Sequence, residues 1–177
     1  INNPFASILM NDAALVNMHY SKKEVIRRNW RKWFHPVYGT MVFRNMLMLP
    51  YREFSSFKYS HISSPFLKST FEKVWSEEEK VLDRVCRTRF RSAGDVNQYV
   101  MKYWQYMVGK YDPQSPKIGK FLTISIHDEQ IHDTLRNQKC KILCINDTEN
   151  ISDFEARKRN MRESFEYILP KKSTFEL

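Results

Sequence analysis

Strand-like alternation is confined to two short stretches of this 177-residue chain, and that scarcity constrains the fold more than any other feature. Residues 121–126 read FLTISI and residues 141–145 read KILCI, both rich in β-branched and apolar side chains. A polar helical pattern at 128–138 lies between them. Strand, helix and strand of these lengths predict a right-handed parallel crossover. Everywhere else the apolar residues recur at helical spacing. The expected class is therefore α/β, mostly helical with two or three short strands.

Glycine is scarce, at four residues, so neither GxGxxG nor GxxxxGK[ST] occurs. A nucleotide site must be built another way or lie outside this chain. The net charge of +9 points to an anionic partner (nucleic acid, a phosphorylated substrate or an anionic membrane) or to a solvated basic surface. Cys86, Cys140 and Cys144 form no CxxC pair and read as reduced in a cytosolic chain; Cys140 and Cys144 could join but, in or beside the second strand, read as small core thiols. No signal peptide or apolar run of membrane-spanning length is present. The opening Ile1-Asn2-Asn3-Pro4 reads like the interior of a longer protein.

The helical patterns carry their own start signals. Residues 5–20 are apolar nearly all round, which predicts a buried helix. Ser21-Lys22-Lys23-Glu24 is a capping box for a helix running to about Phe34, the most basic segment of the chain. Its cations read as a solvated face, with a membrane surface or charged polymer as the functional alternative. Pro36 ends it and Gly39 marks a turn. Residues 41–49 predict a short buried helix closed by Pro50, and residues 51–60 a loop. Ser64-Pro65 starts a helix to residue 75, and Ser76-Glu77-Glu78-Glu79 starts a second over 77–87. Asp95-Val96-Asn97-Gln98 begins the clearest helix, 95–108, whose aromatics have core spacing and whose C-cap is Gly109. The last helix starts at Ser152-x-x-Glu155 with Phe154, Met161, Phe165 and Ile168 inward, and ends at Pro170.

His61 and Arg91 both lie in loops predicted to lead into helix N-termini, where outward N–H groups hold phosphate readily. A base and a planar phosphate-binding fork suit phosphoryl transfer. The bland reading makes His61 a cap or packed ring, and Arg84, Arg87, Arg89 and Arg91 surface charge. Asn146-Asp147 directly follows the second strand, at the end where α/β sheets bind ligands, but is also an ordinary turn pair. The histidines are too scattered for zinc, GxSxG is absent, and no nucleic-acid motif appears.

Taken together, these motifs resemble the Stealth family of sugar-phosphate transferases, which includes bacterial capsular-polysaccharide phosphotransferases and the catalytic part of animal N-acetylglucosamine-1-phosphotransferase. The resemblance rests on His61 followed by Pro65-Phe66-Leu67-Lys68-Ser69-Thr70, then Thr88-Arg89-Phe90-Arg91-Ser92 with Asp95-Val96-Asn97-Gln98. Cys144-Ile145-Asn146-Asp147 and the closing Pro170-Lys171-Lys172-Ser173-Thr174-Phe175-Glu176-Leu177 complete it. Asn3-Pro4-Phe5 and Lys32-Trp33-Phe34 also look like the bacterial branch. It runs from about Asn3 to the end and matches the third and fourth conserved regions of the family.

The resemblance implies transfer of a sugar-1-phosphate from a nucleotide-sugar, commonly a UDP-sugar, to a glycan hydroxyl in capsular or cell-surface polysaccharide synthesis. His61 matches the family's essential histidine and Arg91 its essential arginine. Lys68, Arg89, Asp95 and Asn146 are the expected substrate or phosphate contacts, and Asp147 the candidate ligand for a divalent cation, Mg2+. The implied fold is part of a larger glycosyltransferase-like α/β domain. The first and second conserved regions are missing, so residues 1–177 are expected to be the C-terminal part of one catalytic domain, completed by the N-terminal part of the same protein and inactive alone. The expected partners are a nucleotide-sugar and a glycan, with no nucleic acid. The expected location is cytoplasmic, with peripheral contact at the inner face of the membrane. The rival readings are a non-enzymatic basic helical module for nucleic acid or anionic membrane, and a degenerate family member that binds glycan without turnover.

Overall fold

The computed structural model describes residues 4–55, 57–58, 61–147 and 151–175. Asn3, part of the 51–60 loop, and the Glu176-Leu177 close of the last motif lie outside the described residues. The chain forms two compact units, Ile1–Tyr59 with Ser64–Ser115 and Ser60–Ser63 with Pro116–Leu177.

The first unit is helical, with α1 Pro4–His19, α2 Lys22–Trp33, α3 Met41–Leu47, α4 Lys68–Arg87 and α5 Tyr99–Met107. α1 is not buried all round as its composition predicts. Ile8, Asp12, Ala13, Leu15 and Val16 face the core, whereas Met10 and Met18 are exposed. Ser21 stands at the N-cap of α2 as expected but makes no side-chain cap bond. Pro36–Tyr38 is a single 3-10 turn, and Gly39 follows at a positive φ of 56°.

The two helices read over 65–87 are one. Ser76 does not cap, since its hydroxyl donates back to the Lys73 carbonyl at 2.7 Å, a bond that leaves the helix intact. The expected break survives as a kink at Glu78, with φ −124° and ψ 30°. Thr70, Val74 and Leu82 make one continuous buried stripe across it. The helix also starts later than Ser64-Pro65 suggests. Leu67 is its N-cap and donates its N–H to Gln105 Oε1 at 3.0 Å, while Ser64 Oγ accepts from Lys102.

α5 starts at Tyr99, four residues past Asp95 and directly after its box. Its Val100, Tyr103, Trp104 and Met107 form the centre of the core, packed with Leu15 and Val16 of α1, Val25 of α2 and Val74 and Leu82 of α4. The core role read for these aromatics holds. α3 departs furthest from expectation: it forms, but none of its residues is buried.

The second unit contains β1 Gly119–Thr123, α6 Asp128–Arg136, β2 Ile142–Asn146 and α7 Phe154–Ile168. The strands pair in parallel, Phe121 against Cys144 and Thr123 against Asn146, with α6 as the connection. β1 ends before residues 124–126 because Ser125 turns to φ 73° and its N–H donates to Asp128 at the start of α6. Leu122, Ile131 and Leu135 are the buried core, joined by Ile124, Leu143, Ile145 and Met161. On α7 the inward face is the expected one only in part. Phe154 and Phe165 are exposed, while Met161 and the fully buried Ser164 point in. Polar contacts set that face: Ser164 Oγ bonds His132 Nδ1 at 2.8 Å and Arg157 pairs with Asp128. All three cysteines are free; Cys140 and Cys144 are half-buried, short of the core placement expected of them, and Cys86 is exposed.

Candidate functional site

In the first unit, α4 delivers the chain to the arginine loop, residues 88–98. Arg89 and Arg91 are exposed, with the Arg89 guanidinium 5.4 Å from the Phe90 ring centre. Behind them the backbone is closed from inside. Buried Asp95 accepts from the Ser92 N–H at 2.7 Å and the Ser92 hydroxyl at 2.9 Å. Those bonds, with the Arg84 cation, hold its carboxyl below the usual carboxylate range. Asp95 thereby shapes the loop, and the capping role read for its box falls to Asn97, whose Oδ1 accepts from the Tyr99 N–H at 2.7 Å.

α1 grips the same loop. Asn11 Nδ2 donates to the Ala93 and Asp95 carbonyls, each at 2.8 Å. Asp12 is 0% exposed, and its Oδ1 accepts the Asn97 N–H at 2.9 Å. Its second oxygen has no hydrogen-bond partner among the described residues. Burial pushes the Asp12 carboxyl up to about 7, opposed only by the Asn97 N–H. Arg84 adds a bond to the Gly94 carbonyl at 3.1 Å. The loop is thus fixed by inward groups while its two arginines face outward. Asn11 and Asp12 were not anticipated; the available signal was a polar pair inside an otherwise apolar helix, where a buried carboxylate needs a donor.

Lys68 does not join this loop. It opens α4, exposed and 3.7 Å from Glu72, and the helix places roughly 30 Å between it and Thr88.

In the second unit, His61 lies in a loop that leads on to the start of α4 at Lys68, as expected. Its ring is stacked on Phe121 of β1, with centroids 4.4 Å apart and planes 29° from parallel. Gly119 makes this approach possible, since a Cβ there would lie 2.7 Å from Ile62 Cγ2 and 3.1 Å from the Ile142 carbonyl. The alternation of a strand then orders the sheet. Leu122, Leu143 and Ile145 turn to the α6–α7 side, so Phe121, Thr123, Cys144 and Asn146 share the other face, and His61 lies on it. Asn146 ends β2, exposed, with Nδ2 donating to the Asp147 carbonyl at 2.7 Å; Asp147 is exposed beside it. His61, Asn146 and Asp147 are therefore tied to one sheet, whereas Arg89, Arg91 and Asp95 belong to one loop of the first unit. Among the described residues no three His, Cys, Asp or Glu side chains gather as metal ligands, and no helix is long and apolar enough to cross a membrane.

Residues 133–177 match the family described as Stealth protein CR4, conserved region 4. Over 98% of its length the chain is 33% identical to the capsular polysaccharide phosphotransferase WcwK of Streptococcus pneumoniae, covering 52% of that protein. Over 95% it is 33% identical to the receptor polysaccharide phosphotransferase WefC of Streptococcus gordonii, covering 50%. Over 97% it is 30% identical to the exopolysaccharide phosphotransferase cps2G of Lactiplantibacillus plantarum, covering 51%. The chain thus spans about half the length of the curated relatives it matches. No solved structure matches it.

Proposed function

We propose that this chain, a Stealth protein by its fourth conserved region, supplies part of the machinery of a sugar-1-phosphate transferase acting in capsular or exopolysaccharide synthesis. The observation that carries the reading is the arginine loop, which presents Arg89 and Arg91 outward from a backbone fixed by Asn11, Asp12, Ser92 and Asp95. A preordered loop with planar forks suits a reaction governed by positioning and by charge at phosphorus.

In this reading the donor is a nucleotide-sugar, and an acceptor glycan hydroxyl attacks the sugar-linked phosphorus. The new bond is acceptor oxygen to phosphorus. The bond that breaks links that phosphorus to the departing nucleoside monophosphate. Arg91 holds phosphate oxygens with its fork, supported by Arg89, and the His61 imidazole takes the hydroxyl proton. Stacking on Phe121 orients that ring. Asn146, at the end of β2, contacts the substrate. Asp147 is the residue that would hold Mg2+, which commonly takes only one or two protein carboxylates beside substrate phosphates and supplies charge neutralisation when bound. The remaining length found in the relatives completes the donor site.

The test uses the intact protein with a nucleotide-sugar and an acceptor glycan, following release of nucleoside monophosphate. His61→Ala and Arg91→Ala should each lower turnover by about 100-fold or more. Full activity in both variants overturns the assignment.

A further inference from the structure

We propose that α3 and the segment after it form a membrane-surface anchor that takes anionic lipid bilayers. This stands apart from the catalytic reading and rests on a different part of the molecule. Residues 43–52 read FRNMLMLPYR, and all of them except Asn45 are exposed. Phe43 is 67% exposed and Leu47 73%, with Met46, Leu49 and Tyr51 also open. An apolar run of this density is ordinarily buried.

The segment is nevertheless held in place from its backbone side. Lys22 is buried and donates its ammonium to the carbonyls of Met48, Tyr51 and Glu53, the second at 3.0 Å. A cation among carbonyls at the end of a helix is the arrangement the helix dipole favours. Asn45 Nδ2 donates to the Trp33 carbonyl at 2.8 Å, tying α3 to the end of α2. The polar groups are thus spent inward, and the apolar side chains stand outward on a fixed support.

Charge identifies the occupant. From Val25 to Arg52 there is no acidic residue, while Arg27, Arg28, Arg31, Lys32, Arg44 and Arg52 are cationic. Arg44 and Arg52 lie within the apolar run, and Trp30, exposed on α2, carries Arg31 over its ring. Apolar insertion beside a surplus of arginine, with Trp and Tyr at the margin, matches the headgroup boundary of an anionic bilayer. Nucleic acid would use the cations but leave Phe43, Met46, Leu47 and Leu49 in water.

The test is co-sedimentation of the intact protein with phosphatidylglycerol/phosphatidylcholine vesicles and with pure phosphatidylcholine vesicles, read also by the tryptophan fluorescence change that Trp30→Phe should remove. Binding should be at least about tenfold tighter to the anionic vesicles and weaken with salt. Arg44→Gln and Arg52→Gln should each weaken it roughly fivefold. The Phe43→Ser/Leu47→Ser double variant should lose about tenfold or more while keeping the far-UV spectrum of the parent. Absence of vesicle binding overturns the proposal. So does a salt-sensitive affinity for an oligonucleotide that exceeds the affinity for vesicles. A dimer that dissolves in the Phe43/Leu47 variant without vesicle binding assigns the face to a second copy. Binding by residues 1–177 that vanishes in a longer gene product assigns it to the additional chain.

Discussion

At the scale of single residues, the decisive group is one whose charge opposes its place in the fold. Asp12 is enclosed, and burial raises its carboxyl from 3.8 to about 7. The sign of the consequence is fixed by linkage. Between those two values the unfolded chain has released the proton that the folded chain keeps, so stability falls as pH rises through the window and levels off above it. Urea melts of the protein should show this loss between pH 4 and 8, at most about 4 kcal/mol. Asp12→Asn keeps a carbonyl for the Asn97 N–H and should flatten that slope; an unchanged slope would assign the pH dependence elsewhere. Asn11→Ala leaves the Ala93 and Asp95 carbonyls without their donor. A cost of about 1–3 kcal/mol is expected, and turnover in the assay above should fall as the arginine loop loosens. Gly119→Ala should act on the proposed role of His61, because the added methyl meets Ile62 beside the His61 ring stacked on Phe121, and turnover in the assay above should fall.

At the scale of elements, helix spacing and strand alternation were legible and helix boundaries were not. The Tyr103-Trp104-Met107 stripe and the 121–145 crossover needed only periodicity. The α4 start signal at Ser76 failed because a serine hydroxyl satisfies itself equally well on the carbonyl three residues back, at Lys73. α3 failed differently: a run dense in apolar residues records what a helix avoids, not whether a neighbour is present to cover it. His61 and Arg91 entered as site candidates through motif resemblance, whereas Asn11 and Asp12 act on a loop more than eighty positions away, a separation local patterns do not encode. The end of α5 offers its own test. Gly109 sits at φ 72°, and a Cβ there would lie 2.3 Å from Asn29 Oδ1, where the α2 backbone is itself non-helical. Its carbonyl also accepts Lys32 at 2.7 Å. Gly109→Ala therefore meets both a left-handed backbone and a filled space, and a loss of about 1–3 kcal/mol in thermal or urea unfolding is expected.

At the scale of the whole molecule, the two units are unequally supported. Among the described residues, twelve buried apolar side chains make the core of the first, drawn from four helices and Phe54 among others, against three in the second. Buried apolar area is the main source of cohesion, so the second unit should open at lower free energy. Its sheet sharpens the contrast, because two strands pair only with each other among the described residues, and a two-stranded sheet is marginal without further packing. Hydrogen exchange read by mass spectrometry should therefore show β1 and β2 exchanging through openings that leave α5 protected. The arginine loop belongs with the protected class, since Asn11, Asp12 and Arg84 bind its backbone to α1 and α4. For the proposed site this means an asymmetry: Arg91 is carried by the firmly held unit, and His61, Asn146 and Asp147 by the one that should yield first. A nucleotide-sugar engaging the β-sheet residues should raise protection over 119–147 more than over 88–98. Equal protection gained in both segments, or none in the sheet, would place the ligand contacts of the second unit elsewhere.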